Sequence, residues 1–257
     1  MPAKAGTGDS LRQGLARRLA GWLNLADLLV YPSFCEICES FLERPGEKVI
    51  CRECLEKLRP SLSSHCPACG RFFEGAGESH LCGACLTRRP PFTRHRSYTK
   101  YDGLAKDVIL LFKYRGNEIL GRSLAGLMNE ALGGEDDLWD GADGVLAVPL
   151  HPKKLRKRGY NQAAVLARRL AGLRGIPYVD NRLLKARHNP AQTSLDAAER
   201  EANVKGAYLV RKPGSLNGRV LLLVDDVFTT GATIGECSRV LLRAGAREVR
   251  AITFAQA

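Results

Sequence analysis

Residues 219–233 read Arg219-Val-Leu-Leu-Leu-Val-Asp225-Asp226-Val-Phe-Thr229-Thr230-Gly231-Ala232-Thr233, and they restrict the fold more than any other stretch. Five uninterrupted apolar residues, Val220 to Val224, leave no polar side for water. They predict a strand covered on both faces, as in a parallel sheet. The apolar run stops at two adjacent carboxylates. A small-residue turn follows, and then a helical stripe of Ile234, Cys237, Val240, Leu241 and Ala244 opens and closes at Gly245. A strand, a polar turn and a helix N-terminus in that order gather free backbone N–H groups and the positive end of a helix dipole, which suits a phosphate. Thr229, Thr230 and Thr233 add hydroxyls, and Gly231 lets the backbone come close.

Two familiar nucleotide motifs do not fit. A P-loop needs G-x-x-x-x-G-K-[ST], and the chain holds no such string. A dinucleotide fingerprint needs G-x-G-x-x-G, whereas Gly231 and Gly235 stand four apart. Val224 to Thr233 instead resembles, at every position, the phosphoribosyl diphosphate (PRPP) motif of type I phosphoribosyltransferases. That resemblance implies that Asp225 and Asp226 bind ribose hydroxyls. It also implies that Thr229, Thr230, Gly231, Ala232 and Thr233 cradle a 5′-phosphate. A buried strand with an ordinary acidic turn would explain the apolar run, but not the agreement of ten positions.

Eight of the nine cysteines form four C-x-x-C pairs: Cys35/Cys38, Cys51/Cys54, Cys66/Cys69 and Cys82/Cys85. Each recurs 31 residues on (66 − 35, 69 − 38, 82 − 51 and 85 − 54 all agree), so this is a tandem repeat. Each pair puts two thiolates on one tight turn, and two pairs complete a tetrahedral S₄ site that selects zinc. A disulfide framework fits poorly with a chain lacking an export signal. An iron–sulfur cluster is the remoter alternative. The repeat predicts two zinc ribbons in series with one metal each, against a cross-braced pairing that the spacing alone leaves open. With all four positions held by Cys, the two zinc ions are structural. Cys237 stands apart on the apolar helix face and reads as a buried, inert thiol.

Thirty-nine basic against twenty-seven acidic residues give a net charge of +12, which favours anionic partners without choosing among them. No run of eighteen apolar residues predicts a transmembrane helix, and no apolar core with a cleavage site marks a signal peptide. The expected location is therefore cytoplasmic. Leu11, Leu15, Leu19, Trp22, Leu23 and Ala26 form one helical stripe. It reads as a helix packed on the protein's own core, with peripheral membrane contact as the alternative. The expected organisation is a lead-in with this helix over 1–30, a double zinc ribbon over 31–90, and a larger domain over 91–257.

In that larger domain a short strand, Val145 to Val148, leads through His151-Pro152 into Lys153, Lys154, Leu155, Arg156, Lys157, Arg158 and Gly159-Tyr160-Asn161-Gln162. This stretch, five cations without an acid, reads as a basic loop. It is expected beside the 219–233 turn, at the strand C-termini where open α/β sheets bind ligands. By the same resemblance, Lys153, Lys154, Arg156, Lys157 and Arg158 hold the pyrophosphate of PRPP. A nucleic-acid backbone is the rival ligand for this loop. Arg187 and Gln192, on the segment between, would close over the site.

The order of features resembles the ComF family of phosphoribosyltransferase-like proteins from about residue 20 onward. The implied architecture is α/β: a type I phosphoribosyltransferase fold, an open, mostly parallel twisted sheet flanked by helices, behind a small double zinc ribbon. The resemblance implies PRPP with Mg²⁺ as ligand, and a part in DNA uptake during natural competence. Asp225, Asp226, Arg187 and Gln192 are the candidate catalytic residues. The alternative is a non-catalytic accessory that handles single-stranded DNA with the uptake machinery and uses the pocket only to hold a nucleotide or phosphate.

Overall fold

The computed structural model describes residues 34–42, 49–75, 77–114, 118–187 and 197–257. The predicted N-terminal helix and Gln192 lie outside them. The chain divides into two compact units, Met1–Lys57 and Leu58–Ala257.

The first unit carries Cys35, Cys38, Cys51 and Cys54, with a short helix α1 (Arg52–Lys57). The second opens with the other ribbon, Cys66, Cys69, Cys82 and Cys85, and helix α2 (Gly83–Thr87). Strand β1 (Arg94–Lys100), helices α3 (Gly103–Tyr114), α4 (Glu118–Ala131) and α5 (Asp136–Trp139), and strand β2 (Gly144–Ala147) follow. Next come helices α6 (Pro152–Arg158) and α7 (Gln162–Arg174), strand β3 (Leu183–Lys185), helix α8 (Ala197–Val204) and strand β4 (Tyr208–Val210). Strand β5 (Val220–Phe228), helix α9 (Ala232–Arg243) and strand β6 (Glu248–Gln256) complete the unit.

The main sheet has the order β1-β6-β5-β2, and every pairing is parallel. Tyr178 extends the β2 edge through a parallel bridge to Val145. β3 and β4 form a separate antiparallel pair. The all-apolar half of β5 is buried as predicted, Val220 to Val224 alike. Leu221 and Leu223 pack with Ile234, Cys237 and Leu241 of α9, and the alternate residues point to the opposite face. α7 packs on β2, β5 and α4, so helices cover the sheet as a parallel sheet requires.

β1 is the edge strand, and the second ribbon covers its outer edge. The Ser61 N–H donates to the Tyr98 carbonyl at 2.9 Å, and the His95 N–H donates to the Ala68 carbonyl at 2.9 Å. Backbone groups that would otherwise template another chain are thereby paired. Arg96, almost fully buried, ties the same knuckle to the sheet, donating to the Pro67 carbonyl at 3.1 Å and to Glu135 at 2.9 Å.

Two local readings change. β5 does not stop at its acids but runs through Asp225 and Asp226 to Phe228, because Asp225, Val227 and Phe228 all keep parallel partners on β6. The stretch read as a basic loop is helical over 152–158. Pro152 sits at the first helical turn, the His151 ring accepts from the Lys153 N–H, and Gly159 ends the helix at φ 83°. This helix buries none of its residues, so it has no apolar stripe by which a sequence could announce it.

Candidate functional site

Each Cys₄ set brings its ligand atoms within 4.8 Å of one another, with sets 35/38/51/54 and 66/69/82/85 in series. Sulfur pairs stand 3.8 Å apart for Cys35 and Cys54, and 3.6 Å for Cys38 and Cys51 and for Cys69 and Cys82. Tetrahedral zinc with bonds of about 2.3 Å sets neighbouring sulfurs roughly 3.8 Å apart. Backbone N–H groups point at the sulfurs, Cys51 to Cys35 at 3.4 Å and Cys82 to Cys66 at 3.5 Å. Burial opposes ionisation of Cys66, yet the N–H groups of Cys82, Cys69 and Ala68 bring its thiol down to about 6. Burial pushes Cys69 up instead, because crowded thiolates cannot all ionise without a cation between them. The two sets thus fit two structural zinc ions.

The second cluster stands at the C-terminal end of β5. Asp225 and Asp226 are half-buried neighbours, and the Asp226 N–H donates to Asp225 Oδ1 at 2.9 Å. Burial first and the Asp226 charge second lift Asp225 to about 7. Lys113, from the end of α3, places Nζ 3.2 Å from Asp226 Oδ2. Cations gather opposite. Lys154 is held below the usual lysine range by burial, then by Arg158 and Lys113. Lys185 is lowered by burial, then by Lys154, while Asp225 resists that shift. Its ammonium lies 5.1 Å from the centre of the Tyr208 ring.

Helix α6 sorts the predicted cations. Lys154 and Arg158, one turn apart, face inward, whereas Lys153, Arg156 and Lys157 are exposed. Gly159-Tyr160-Asn161-Gln162 is a clamp beneath them. The Tyr160 hydroxyl donates to the Phe112 carbonyl, and Asn161 Nδ2 donates to the Val148 carbonyl at 3.0 Å. Gln162 accepts from Arg158 at 2.9 Å and donates to the Lys113 carbonyl at 3.5 Å. The end of α3, the end of β2 and the basic helix are therefore fastened at one point.

Beyond the acids, Thr229 and Thr230 are exposed, Gly231 takes φ 77° and Ala232 opens α9. The left-handed turn needs glycine twice over. A Cβ there would stand 2.7 Å from Phe228 Cζ, so the Phe228 ring lies directly against the turn. Residues 225 and 227–234 line a shallow cradle of about 20 Å³. Arg187 is held on the Lys205 carbonyl, beside β4. A cleft of about 630 Å³ opens between α6–α7 and the β3–β4 pair, with Lys185, Tyr160 and Asn161 on its wall. Sequence reasoning gave no role to Lys113 or Lys185. A lysine at a helix or strand end does not by itself announce a site, and only the fold brings these two to the acids.

Fold and site together define a class: a phosphoribosyltransferase-type α/β domain with a double zinc ribbon ahead of it. Residues 26–86 match the double zinc ribbon domain family, and residues 155–257 match the phosphoribosyl transferase domain family. More closely, the chain is 34% identical over 116 residues to Competence protein F of Haemophilus influenzae, covering 45% of this chain and 51% of that protein. It is 34% identical over 108 residues to DNA utilization protein YhgH of Salmonella typhi, covering 42% and 47%. Competence protein ComFC of Streptococcus pneumoniae is 29% identical over 160 residues, covering 62% and 67%. By these relatives and domains the resemblance to the ComF family holds. The chain spans about half the length of the first two curated relatives. Among solved structures, a glutamine PRPP amidotransferase from B. subtilis, complexed with ADP and GMP, aligns at a TM-score of 0.33. It is 25% identical, over 55% of this chain and 26% of that one. No described helix is long and apolar enough to cross a membrane.

Proposed function

We propose that the second unit binds PRPP with Mg²⁺ and works as a phosphoribosyltransferase-type protein in DNA uptake or nucleotide metabolism. One observation carries this reading. The acid pair, the glycine turn at a helix N-terminus and a set of inward cations converge at the C-terminal edge of one parallel sheet. The 5′-phosphate would lie on the N–H groups of residues 229–233, and the ribose hydroxyls would donate to Asp225 and Asp226. The pyrophosphate would meet Lys154 and Arg158, with Lys113 alongside. A nucleophile at the anomeric carbon forms one bond as the carbon–oxygen bond to pyrophosphate breaks and the electron pair leaves with it. Fixed cations at the leaving group favour that charge more in the transition state than in the ground state. Mg²⁺, when bound with the diphosphate, would supply further neutralisation. Arg187 and Gln192, on the segment between, would close over the ligand. The names of the curated relatives support the DNA connection, and the charge of +12 is compatible with single-stranded DNA as a partner.

Calorimetry tests the pocket. PRPP with Mg²⁺ should bind the wild type, and binding should fall at least about a hundredfold in Asp225→Ala/Asp226→Ala, the size expected for losing two charge-assisted contacts. Absence of binding by a folded, zinc-loaded wild type would defeat the reading. The acid pair also sets a pH dependence. Asp225 sits at about 7 in the fold against an ordinary 3.8, so the fold prefers the protonated acid. Stability should therefore decline as pH rises from the unfolded value toward the folded one, and level off above it. Asp225→Asn should remove that slope and raise Tm at pH 8 by about 5 °C, read by thermal melts across pH. Ligand binding should run the other way, tightening up to about tenfold per pH unit as the acid ionises.

A further inference from the structure

The second ribbon does more than cover an edge strand, because one buried side chain spans from its metal site to the phosphate turn. His95, on β1, is fully buried. Its Nδ1 stands 2.8 Å from the carbonyl of Cys69, a ligand of the second Cys₄ set. Its Nε2 stands 3.0 Å from Thr253 Oγ1 on β6. A carbonyl oxygen can only accept, so Nδ1 donates to it, while Nε2 faces the hydroxyls of Thr253 and Ser97. The face of the same ring stacks on Phe228, with centroids 4.0 Å apart and planes 19° apart. Phe92 packs edge-on against both rings. Phe228 in turn presses on Gly231, the left-handed residue of the turn.

Cys69, His95, Phe228 and Gly231 therefore form a packed column with no slack: a hydrogen bond, a ring stack and a van der Waals contact in series. Close-packed interiors pass a displacement on rather than absorbing it. A shift of the Cys66–Cys69 knuckle on metal loss would move the Cys69 carbonyl, then the imidazole, then the ring beneath the turn. A cleft of about 340 Å³ lies between ribbon and turn, lined by Cys69, Arg71, Phe92, Phe228 and Gly231 among others.

We infer that His95 is a positioning residue for the phosphate turn, and that through it zinc at Cys66/Cys69/Cys82/Cys85 and a phosphate on residues 229–233 stabilise each other. The inference rests on the reading of 229–233 as a phosphate cradle. Coupling between two binding sites is reciprocal, so it can be read from the metal side. The first ribbon, in the other compact unit, supplies an internal control.

The experiment measures the equilibrium partition of zinc between the full chain and a chromogenic chelator, with and without saturating ribose 5-phosphate. Calorimetry reports ribose 5-phosphate binding on the same samples. Wild type should hold two zincs, and ribose 5-phosphate should tighten the equilibrium affinity for one of them, read against the chelator, by about fivefold or more, the lower end of usual coupling strengths. Cys38→Ser, which breaks the first set, should leave the protected zinc protected. Cys69→Ser should weaken ribose 5-phosphate binding by a comparable factor. His95→Gln keeps a donor for the Cys69 carbonyl and loses the stack; His95→Phe keeps the stack and loses the donor. Both should load two zincs yet lose the protection, which a merely structural role for His95 would not predict. If His95 variants fail to fold, Phe228→Leu replaces them with the same expectation. Ribose 5-phosphate that binds but changes neither zinc affinity overturns the coupling and leaves the cradle reading standing. Absence of ribose 5-phosphate binding to the two-zinc wild type overturns the cradle reading and the coupling with it.

Discussion

Residues 35–54 and 66–85 build the same knuckle pair twice, and the match extends past the cysteines to the backbone. Phe34 bridges Phe41 as His65 bridges Phe72, and Cys35 N–H donates to the Ser40 carbonyl as Cys66 N–H does to that of Arg71. Glu39 and Gly70 occupy the same left-handed position, at φ 60° and 68°. Their neighbours differ. A Cβ at Gly70 would lie 2.5 Å from the His95 carbonyl oxygen, because β1 runs against the second knuckle. Glu39 is exposed, so a side chain is tolerated there despite the backbone strain. Cys38 is exposed where its counterpart Cys69 is partly covered. Cysteine spacing dictates the metal site, whereas a few contacting residues decide whether the ribbon joins a core.

Gly70→Glu, which gives the second ribbon the residue of the first, should do the most damage. It should cost about 3 kcal/mol or more and lower the Tm of the second unit, since backbone rather than a flexible side chain stands in the way. Arg96→Met comes next. It removes a guanidinium that is only 7% exposed from Glu135 and from the Pro67 carbonyl, and should cost about 2 kcal/mol by urea unfolding. Glu39→Gly, the reverse exchange, should have the smallest effect: a gain within about 1 kcal/mol, from relief of left-handed strain. Equal losses from Gly70→Glu and Glu39→Gly would erase the distinction between the ribbons.

The same distinction marks what a sequence discloses. Both Cys₄ sets and their serial pairing were legible, because ligand chemistry and a repeat are local. Val220 to Val224 announced a buried parallel strand for the same reason: five apolar residues admit few environments. His95 was not legible. An Arg-His-Arg-Ser run reads as polar surface, and only the ribbon and Phe228, both distant in sequence, make it interior. The place of Lys113 and Lys185 in the site is illegible likewise, since it comes from Asp225 and Asp226, far along the chain. Helix α6 reads as a loop in the sequence because it has caps but no buried face.

β1 pairs with β6 across a long interval, Ser97 bonding Thr253 at a separation of 156 residues. At about 5–20 residues per second, a ribosome needs roughly 10–30 s to supply that partner. The second ribbon is complete from the start of that wait, and the strand left unpaired on its β6 side reads Arg94-His-Arg-Ser-Tyr-Thr-Lys100. Charged and hydroxylated side chains keep a lone strand from pairing with the wrong neighbour. The polar lettering that hides β1 from a reader of the sequence thus suits a nascent chain: the strand can stay in water until its partner arrives.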